Sequence, residues 1–535
     1  MHHFSSMRDP EYAGDRKIAA YFYRRPFIAY TLMPAPFRVI LTAVILGALM
    51  PVRGRAQASP YIPLDDPRLP LLEHLISRSD IEDPSPMVRP FRRADAARVL
   101  AAADSAGTAP IVHALREQFE DPVKQNSWRA AIRAGGQAYS HVRRDVLHPL
   151  GSDGVRPYVD LTGEAVFGPF ALVSRPAAEP RLVDDPEWPG RKDLELAFRM
   201  VEAYASAQFK YGSVFYGQMD RNWGPAGAAG IGLSNYGYND VETSFDLGTR
   251  TLRLYGIARP LRDAEDSLGN RIHRYFFAHR LGLRLSDRVN VALWETVVLA
   301  GIDRNFDGRF RNPLSFLVLA NQYGQGDEGG NVLLGFDVRW RALRHATFEA
   351  QLALDDLQYK NTSGPERYPN RWALTLSAFG PLGRQLGWRA LYTQASSLAF
   401  RTLDPFQNLT DAGIGIGRNF ADHDQTTVTV TVPGGTGWLF TPEITLLRQG
   451  EGEINDPFPA NAAEAGAIPQ IFIGVVERTW RAALGVSGRQ GPLDVVANAG
   501  FHHVVNADHI EGHTVNRFEG RLQATVGIGR RGVLP

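Results

Sequence analysis

Cysteine is absent from all 535 residues of this chain. In an exported protein that absence excludes a disulfide framework, so the fold must be held together by other interactions. Neither sign of charge dominates, because 58 Lys and Arg residues stand against 57 Asp and Glu residues. A nucleic-acid-binding protein usually carries a basic excess or a basic stripe, and this sequence has neither. Nucleic acid is therefore not expected as a partner.

Long apolar runs are equally scarce. A membrane-spanning helix needs about 20 mostly apolar residues, and the only candidate is the shorter run at residues 37–50. Arginines precede this run and the small-x-small triplet Ala56-Gln57-Ala58 follows it, a layout typical of a secretory signal peptide that is cleaved after Ala58. A start at Met33 would give a signal of ordinary length. We assign residues 1–58 to a signal peptide, and no cysteine follows it that could carry a lipid anchor.

Residues 59–150 show a helical pattern. Leu69, Leu72, Leu75 and Ile76 are spaced along one helix face, and prolines separate this piece from two further short helical pieces. Three short helices bury little apolar surface by themselves. We therefore expect a small helical segment that packs against something larger, as a plug or as a periplasmic cap.

From residue 156 to residue 535 the sequence has the alternating pattern of β-strands. Apolar residues alternate with polar and charged ones over strand-length segments, and the polar face carries both Arg and Glu. One such segment has Ala346, Phe348, Ala350, Leu352 and Leu354 on one face and Thr347, Glu349, Gln351, Ala353 and Asp355 on the other. The alternation recurs through the whole region without a helical interruption. It predicts an all-β transmembrane barrel of roughly 16–20 antiparallel strands, with a soluble all-β protein as the alternative.

Tryptophans favour the membrane alternative. They recur at the expected strand ends, as in the aromatic girdles of bacterial outer-membrane barrels. These residues are Trp340, Trp372, Trp388, Trp438 and Trp480. A barrel also closes its own sheet edges, which lipid requires because unpaired backbone groups are costly there. We therefore place the protein in the outer membrane of a Gram-negative cell, in contact with outer-membrane lipid.

Several short motifs carry a resemblance to a known family. Arg221-Asn222-Trp223-Gly224-Pro225 followed by Ile231-Gly232-Leu233-Ser234-Asn235 is similar to a WGP…LSN signature. The stretches 275–281, 311–313, 331–337 and 354–356 and the N-terminal stretches 61–66 and 90–93 also resemble relatives. On these motifs the chain resembles the Wzi-type capsule-assembly outer-membrane proteins. That resemblance implies a monomeric barrel with a periplasmic helical part, which binds exported surface polysaccharide and helps to assemble the capsule without enzymatic turnover or a cofactor.

The Gly-rich stretch after the WGP motif offers aromatic rings for sugar stacking and amides for hydroxyl groups. The candidate polysaccharide-binding residues are Trp223, Asn235, Tyr236, Tyr238 and Asn239. The alternative interpretation is that these aromatic residues pack inside the barrel. A porin-like solute channel is the second functional hypothesis, because a charged lumen also suits diffusion. Lumen-facing residues such as Asp337, Arg339, Glu349 and Arg521 would then line an open path, whereas in a closed barrel they would cross-link the lumen.

Motifs for chemistry are weak. His502, His503, His509, Glu511 and His513 form the only histidine cluster, and a solvated hairpin is favoured over a metal site. The stretch 303–308 matches the first half of an EF-hand loop but lacks the bidentate glutamate, so a turn is favoured. Asp355 and Asp356 are neighbours on a strand and point to opposite faces. No nucleophile elbow, P-loop or dinucleotide fingerprint is present, so we predict no catalytic residue, although an outer-membrane enzyme remains a third hypothesis.

Overall fold

The computed structural model describes residues 57–103, 108–119, 126–140, 147, 153–194, 196–322, 329–356 and 369–534. Almost the whole predicted signal peptide, residues 1–56, lies outside these described residues. Within the described ranges, no helix is both long and apolar enough to cross a membrane.

Eighteen antiparallel strands form a closed barrel, which confirms the predicted fold class. In chain order, β1 to β18 are Ser127–Tyr139, Gly154–Phe167, Phe170–Ala178, Phe198–Phe209, Gly212–Gln218, Glu242–Gly248, Leu252–Pro260, Arg271–Arg284, Val289–Gly301, Asn331–Leu343, Ala346–Asp356, Arg371–Leu382, Leu386–Ala395, His423–Gly434, Trp438–Gln449, Glu477–Gln490, Leu493–Val505 and Thr514–Val533. Each strand pairs with its neighbours in the chain, and β1 pairs with β18 from Ser127↔Val533 to Tyr139↔Arg521. No edge of the sheet is left at this seam, as a membrane barrel requires.

The two ends of the barrel differ in the length of their connections. At the end that carries Ser127 and Val533, eight turns of two to four residues join the strands. At the opposite end, nine connections have eight to 29 residues. Outer-membrane barrels have short turns on the periplasmic side and long loops outside the cell. We therefore refer to the short-turn end as periplasmic and to the long-loop end as extracellular.

The first strand lies inside the range 59–150 that the sequence pattern assigned to helices, so the predicted barrel start at residue 156 is too late. Trp128 and Ile132 are exposed on the outer face of this strand, but the other outward positions, Ala130, Ala134 and Gly136, carry small residues. Small residues give little contrast between the two faces. The alternation was therefore too weak to be recognised from the sequence.

The wall of the barrel is apolar outside and polar inside. Leu293, Ile444 and Phe518 are exposed on the outer surface, whereas the luminal Gln351 and Thr445 are fully buried. This distribution is the reverse of that in a soluble protein and suits a barrel surrounded by lipid. The luminal face also carries the charged residues predicted from the alternation, among them Asp337 and Glu349.

Three helices lie inside the periplasmic end of the barrel. They are α1 (Leu69–Ser77), α2 (Arg93–Ala101) and α3 (Ala109–Phe119). Their shared core consists of Ile62, Leu69, Leu71, Leu72, Leu75, Ile76, Ile81, Phe91, Ala96, Val99, Leu100, Ile111, Val112, Leu115 and Phe119, and it includes Leu439 of the barrel wall. The helices therefore complete their hydrophobic core by packing against the wall, as segments too short to bury a core alone must do.

Ion pairs fasten this segment around the inner wall. Five of them link the N-terminal residues to five different strands: Asp65–Arg175, Glu82–Arg284, Asp83–Arg339, Arg92–Asp246 and Arg93–Glu164. The Asp83–Arg339 contact is 2.5 Å and Asp83 is almost fully buried. Breaking a buried pair is much more costly than breaking a surface pair, because the remaining charge stays desolvated. The pairs that are largely buried on both sides, Asp83–Arg339, Arg92–Asp246 and Arg93–Glu164, therefore hold the helical segment firmly against the wall of the barrel.

Candidate functional site

The extracellular connection between β5 and β6, residues 219–241, bends into the lumen. Its Asn222 and Trp223 pair in antiparallel fashion with Arg89 and Val88 of the N-terminal segment. The Trp223 side chain is only 3% exposed, and its carbonyl oxygen accepts a 2.8 Å hydrogen bond from Nε2 of Gln351. A segment from the periplasmic end and a loop from the extracellular end thus meet in a two-stranded sheet inside the barrel.

This inward bend requires glycine at position 230, where two stretches of the loop backbone come very close to each other. A Cβ atom placed on Gly230 would lie 2.2 Å from the carbonyl oxygen of Trp223 and 2.4 Å from that of Leu233. Both contacts are with backbone atoms, which cannot move aside without breaking the Trp223–Leu233 hydrogen bond. The bend of the WGP…LSN segment therefore depends on glycine at position 230.

The five predicted polysaccharide-binding residues do not form one surface. Trp223 is part of the luminal core together with Phe276 and Trp294. Tyr236 is also buried, with its ring 5.6 Å from that of Phe420 in an edge-on arrangement. For these two aromatic residues the alternative interpretation holds, because their rings pack inside the protein. Asn235 is exposed and lies on the other side of the loop, facing a large luminal cavity.

Tyr238 and Asn239 line a hollow on the extracellular side. The Tyr238 hydroxyl donates a 2.7 Å hydrogen bond to Asp185, and its ring lies 4.8 Å from that of Trp188. Asn239 donates a 2.9 Å hydrogen bond to Asp220. The Tyr238 ring, with Trp188 packed beside it, thus lies next to carboxylate and amide groups at this hollow.

Other residues of the hollow were not found in the sequence. Arg262 lies 2.9 Å from a carboxylate oxygen of Asp411 and 3.2 Å from one of Asp240. Burial raises the pKa of Asp220 to about 6, although the nearby Arg199 opposes this shift. These residues come from three different loops, and no spacing in the sequence connects them. The Pro186-Glu187-Trp188-Pro189 stretch, with an isolated aromatic residue in a loop, was the one available signal.

A larger cavity of about 540 Å³ lies between α1 and the inner wall of β13–β18. Its lining combines apolar residues with polar and charged ones, and the latter include Glu73, His74, Asn235, Thr429, Glu443 and Arg481. His74 of α1 shares a 2.7 Å hydrogen bond with the Thr431 hydroxyl at the periplasmic end of this cavity. Burial lowers the pKa of His74 to about 4, so the imidazole is neutral at ordinary pH.

The charged residues that were expected to distinguish a closed lumen from a channel mostly form cross-links. Arg339 pairs with Asp83 of the N-terminal segment and, at 3.0 Å, with Glu349. Asp337 accepts hydrogen bonds from Arg280 and from the indole of Trp294, both at 2.8 Å. Arg521 lines the luminal cavity. Three of these four residues therefore tie luminal groups together.

His502 and His503 of the histidine cluster are consecutive residues of one strand, so their side chains point to opposite faces of the wall. His502 points into the lumen, where it accepts a 3.0 Å hydrogen bond from Arg481, and its neighbour His503 is bonded to Asn516 at 2.7 Å. His509 contacts the carbonyl oxygen of Val475. In the described part of the chain, no three His, Asp or Glu side chains are grouped as a metal site would require. Asp355 accepts a 2.9 Å hydrogen bond from the Phe400 amide in a structural contact.

The closed eighteen-strand wall, the apolar exterior and the polar lumen define the class: the chain is an outer-membrane β-barrel, and the predicted location in the outer membrane is confirmed. No protein-family model matches the chain, and no curated protein matches it in sequence. Among solved structures it is similar to Wzi, a carbohydrate-binding β-barrel involved in group 1 capsule assembly in Escherichia coli. The TM-score is 0.57 at 14% identity, over 88% of this chain and 99% of Wzi.

Outer-membrane channels are also among the similar structures. OprD of Pseudomonas aeruginosa has a TM-score of 0.42 at 11% identity, over 77% of this chain and 98% of OprD. The channel DcaP of Acinetobacter baumannii has a TM-score of 0.33 at 10% identity, over 75% of this chain and 96% of DcaP. At 14% identity, the similarity to Wzi supports the barrel fold and no more.

Proposed function

We propose that this protein binds exported surface polysaccharide through its extracellular loops and helps to assemble or attach a capsule. The fold similarity to Wzi, itself a carbohydrate-binding barrel, supports this function. The WGP…LSN motif that suggested the relationship forms the luminal bend at Trp223, which positions the next residues of the loop at the extracellular hollow. In this proposal the motif positions the binding surface and does not itself contact the sugar.

The observation that carries the proposal is the composition of the hollow. Tyr238, with Trp188 beside it, supplies apolar ring surface, and Asn239, Asp220 and Arg262 supply donors and acceptors. A sugar presents C–H faces that pack on aromatic rings and hydroxyl groups that need both donors and acceptors. The hollow has a volume of about 30 Å³, so a sugar would rest over its mouth, against these aromatic and polar groups, and not inside it.

The segments that cross the lumen favour binding over conduction. Residues 88–89 pair with 222–223 in the middle of the barrel, and buried ion pairs hold the helical segment against the wall. A solute channel is the second candidate, and the cavity of about 540 Å³ beside α1 is the observation that favours it. The two functions differ in whether that cavity conducts ions across the membrane.

The test combines glycan retention with planar-bilayer conductance of the refolded, full-length protein. We expect the wild type to retain the host's own surface polysaccharide and to give no steady conductance steps. Tyr238→Ala and Arg262→Ala should each weaken retention roughly tenfold, the effect of losing about 1.4 kcal/mol of binding free energy. Tyr211→Ala is the matched control, because Tyr211 is an exposed tyrosine in the periplasmic turn after β4. Steady ion-conducting steps without retained glycan would contradict the proposal and identify a channel.

A further inference from the structure

Four residue pairs follow one another on the outer face of β8 and β9. From the periplasmic side upwards they are Leu281↔Leu293, His279↔Glu295, Phe277↔Val297 and Tyr275↔Leu299. The lowest pair is exposed as expected for a lipid-facing wall, with Leu293 at 60% and Leu281 at 39%. The next position upwards breaks this pattern, because an imidazole and a carboxylate face outwards there. Both side chains are nevertheless buried.

A piece of the connection between β9 and β10 covers these groups. We refer to residues 302–322 as the flap. Glu295 accepts hydrogen bonds from the backbone amides of Leu317, at 2.8 Å, and Val318, at 3.3 Å. These amides open the short helix Leu317–Gln322, and a carboxylate stabilises such a free amide end. His279 lies 3.4 Å from the same carboxylate. The flap therefore gives partners to two polar groups that lipid could not solvate.

The flap also covers apolar wall residues. Phe277, Val297 and Leu299 are fully buried beneath it and form a core with Phe310 and Leu317. The rings of Phe277 and Phe306 are stacked with their centroids 5.1 Å apart. The stretch 303–308, which resembled half of an EF-hand loop, serves this packing, because Asp307 accepts a hydrogen bond from the Arg309 amide and begins the helix Gly308–Arg311. The flap is thus an ordered second layer on the outer wall.

The opposite face of the flap is apolar and uncovered. Leu314 is 81% exposed, Phe316 is 65% exposed and Leu319 is 49% exposed. The same short segment carries Arg304, Arg309 and Arg311 against two aspartates, a net charge of +1. An exposed cluster of large apolar side chains is costly in water and marks a contact surface. Basic and apolar residues together are typical of segments that lie in a membrane interface.

We propose that the flap is a membrane-interface element whose apolar face enters the outer leaflet of the membrane that surrounds the barrel. Leu314, Phe316 and Leu319 would contact lipid acyl chains, and the arginines would lie at the level of the phosphate-bearing headgroups. We choose lipid over a protein partner because the apolar face of the flap continues the lipid-facing surface of the wall. The flap covers the outward positions immediately above the lipid-exposed pair Leu281–Leu293, on the same two strands.

The absence of native cysteine allows a direct test. Leu314→Cys and Phe316→Cys, each labelled with an environment-sensitive fluorophore, are reconstituted as full-length barrels in phosphatidylcholine vesicles with and without acyl-chain doxyl lipid. We expect blue-shifted emission from both labels and loss of most of their fluorescence when the doxyl quencher is present. Leu268→Cys is the matched control, because Leu268 is an equally exposed leucine at the tip of the connection between β7 and β8. Its label should stay red-shifted and unquenched.

Two results would overturn the proposal. One is equal, weak quenching at positions 314, 316 and 268, which would place the flap in water. The other is unquenched emission at position 316 combined with energy transfer between labelled barrels, which would assign the apolar face to a second copy of the chain. Glu295→Gln provides an independent readout, because losing the charged acceptor should loosen the flap and increase cleavage within it by an added protease, whereas Glu265→Gln, a change at an exposed glutamate, should not.

Discussion

Val88 and Trp223 are paired neighbours in a two-stranded sheet, although Val88 belongs to the N-terminal segment and Trp223 to an extracellular loop. The pairing provides hydrogen-bond partners for backbone groups of two segments that enter the barrel at opposite ends. It also places the Trp223 ring in the luminal core, 6.3 Å from that of Tyr255. The same pairing therefore places backbone across the lumen and fixes the position of the extracellular loop, and both effects can be tested by substitution.

Replacing Trp223 with alanine should lower the free energy of unfolding by about 3–5 kcal/mol, because the substitution empties a packed site in the luminal core. Thermal unfolding in detergent measures this effect. Trp480→Ala is the matched control, since Trp480 is exposed on the outer wall and its loss leaves no internal cavity. Equal destabilisation by both substitutions would contradict the structural role given to Trp223.

Gly230→Ala should disturb the luminal bend, because the new Cβ would collide with the backbone oxygens of Trp223 and Leu233. We expect this variant to conduct ions in a planar bilayer where the wild type does not. Gly163→Ala serves as the control, because the nearest atom to its added Cβ is 4.0 Å away. If Gly230→Ala remains closed and equally stable, the bend does not close the lumen.

Glu164→Gln should weaken the attachment of the helical segment. Arg93 binds both oxygens of Glu164, at 2.9 and 3.0 Å, and both side chains are nearly buried. Leaving a buried guanidinium without its carboxylate costs about 3–5 kcal/mol, which limited proteolysis of α2 and α3 should detect. The same change in the exposed pair Arg191–Asp193, Asp193→Asn, should have little effect, because solvent screens a surface ion pair. Similar effects of the two substitutions would refute the proposed attachment.

Lowering the pH should destabilise the packing of α1 against the barrel wall. Burial lowers the pKa of His74 from 6.5 to about 4, so the unfolded chain binds a proton that the folded protein excludes between these pH values. The contribution of His74 to the free energy of unfolding should therefore be highest above pH 6.5 and fall as the pH decreases towards 4, by at most about 3 kcal/mol. His74→Gln keeps a polar group near Thr431 but does not titrate. Its unfolding temperature should change less over this window, and parallel profiles for the two proteins would exclude His74 as the cause.

Much of the fold could be predicted from the sequence, because side chains alternate between the two faces of a strand and this alternation is visible in the order of residues. Alternation such as that of β11, with Phe348 and Leu352 outside and Glu349 and Gln351 inside, sufficed for a barrel of the right size. The prediction was wrong where the contrast was weak, at β1, whose outer face carries alanine and glycine beside Trp128 and Ile132.

The candidate site was less accessible to sequence reasoning. The five residues chosen in the loop 219–241 are close in sequence, but the bend sends Trp223 and Tyr236 into the core, Asn235 towards the cavity and only Tyr238 and Asn239 to the hollow. Arg262 and Asp411, which line the same hollow, come from two other loops. No local pattern records which loops will meet, because that depends on how the barrel closes.

The sequence by itself determined the class of protein, since lipid accepts a strand only when its outward residues are apolar and the sheet is closed. Only the tertiary structure decided the exceptions to that rule. Glu295 has the position of a lipid-facing residue, yet it is buried because the flap folds back over the wall and supplies two amide donors. Such compensation depends on contacts between residues distant in the chain, and local periodicity contains no information about them.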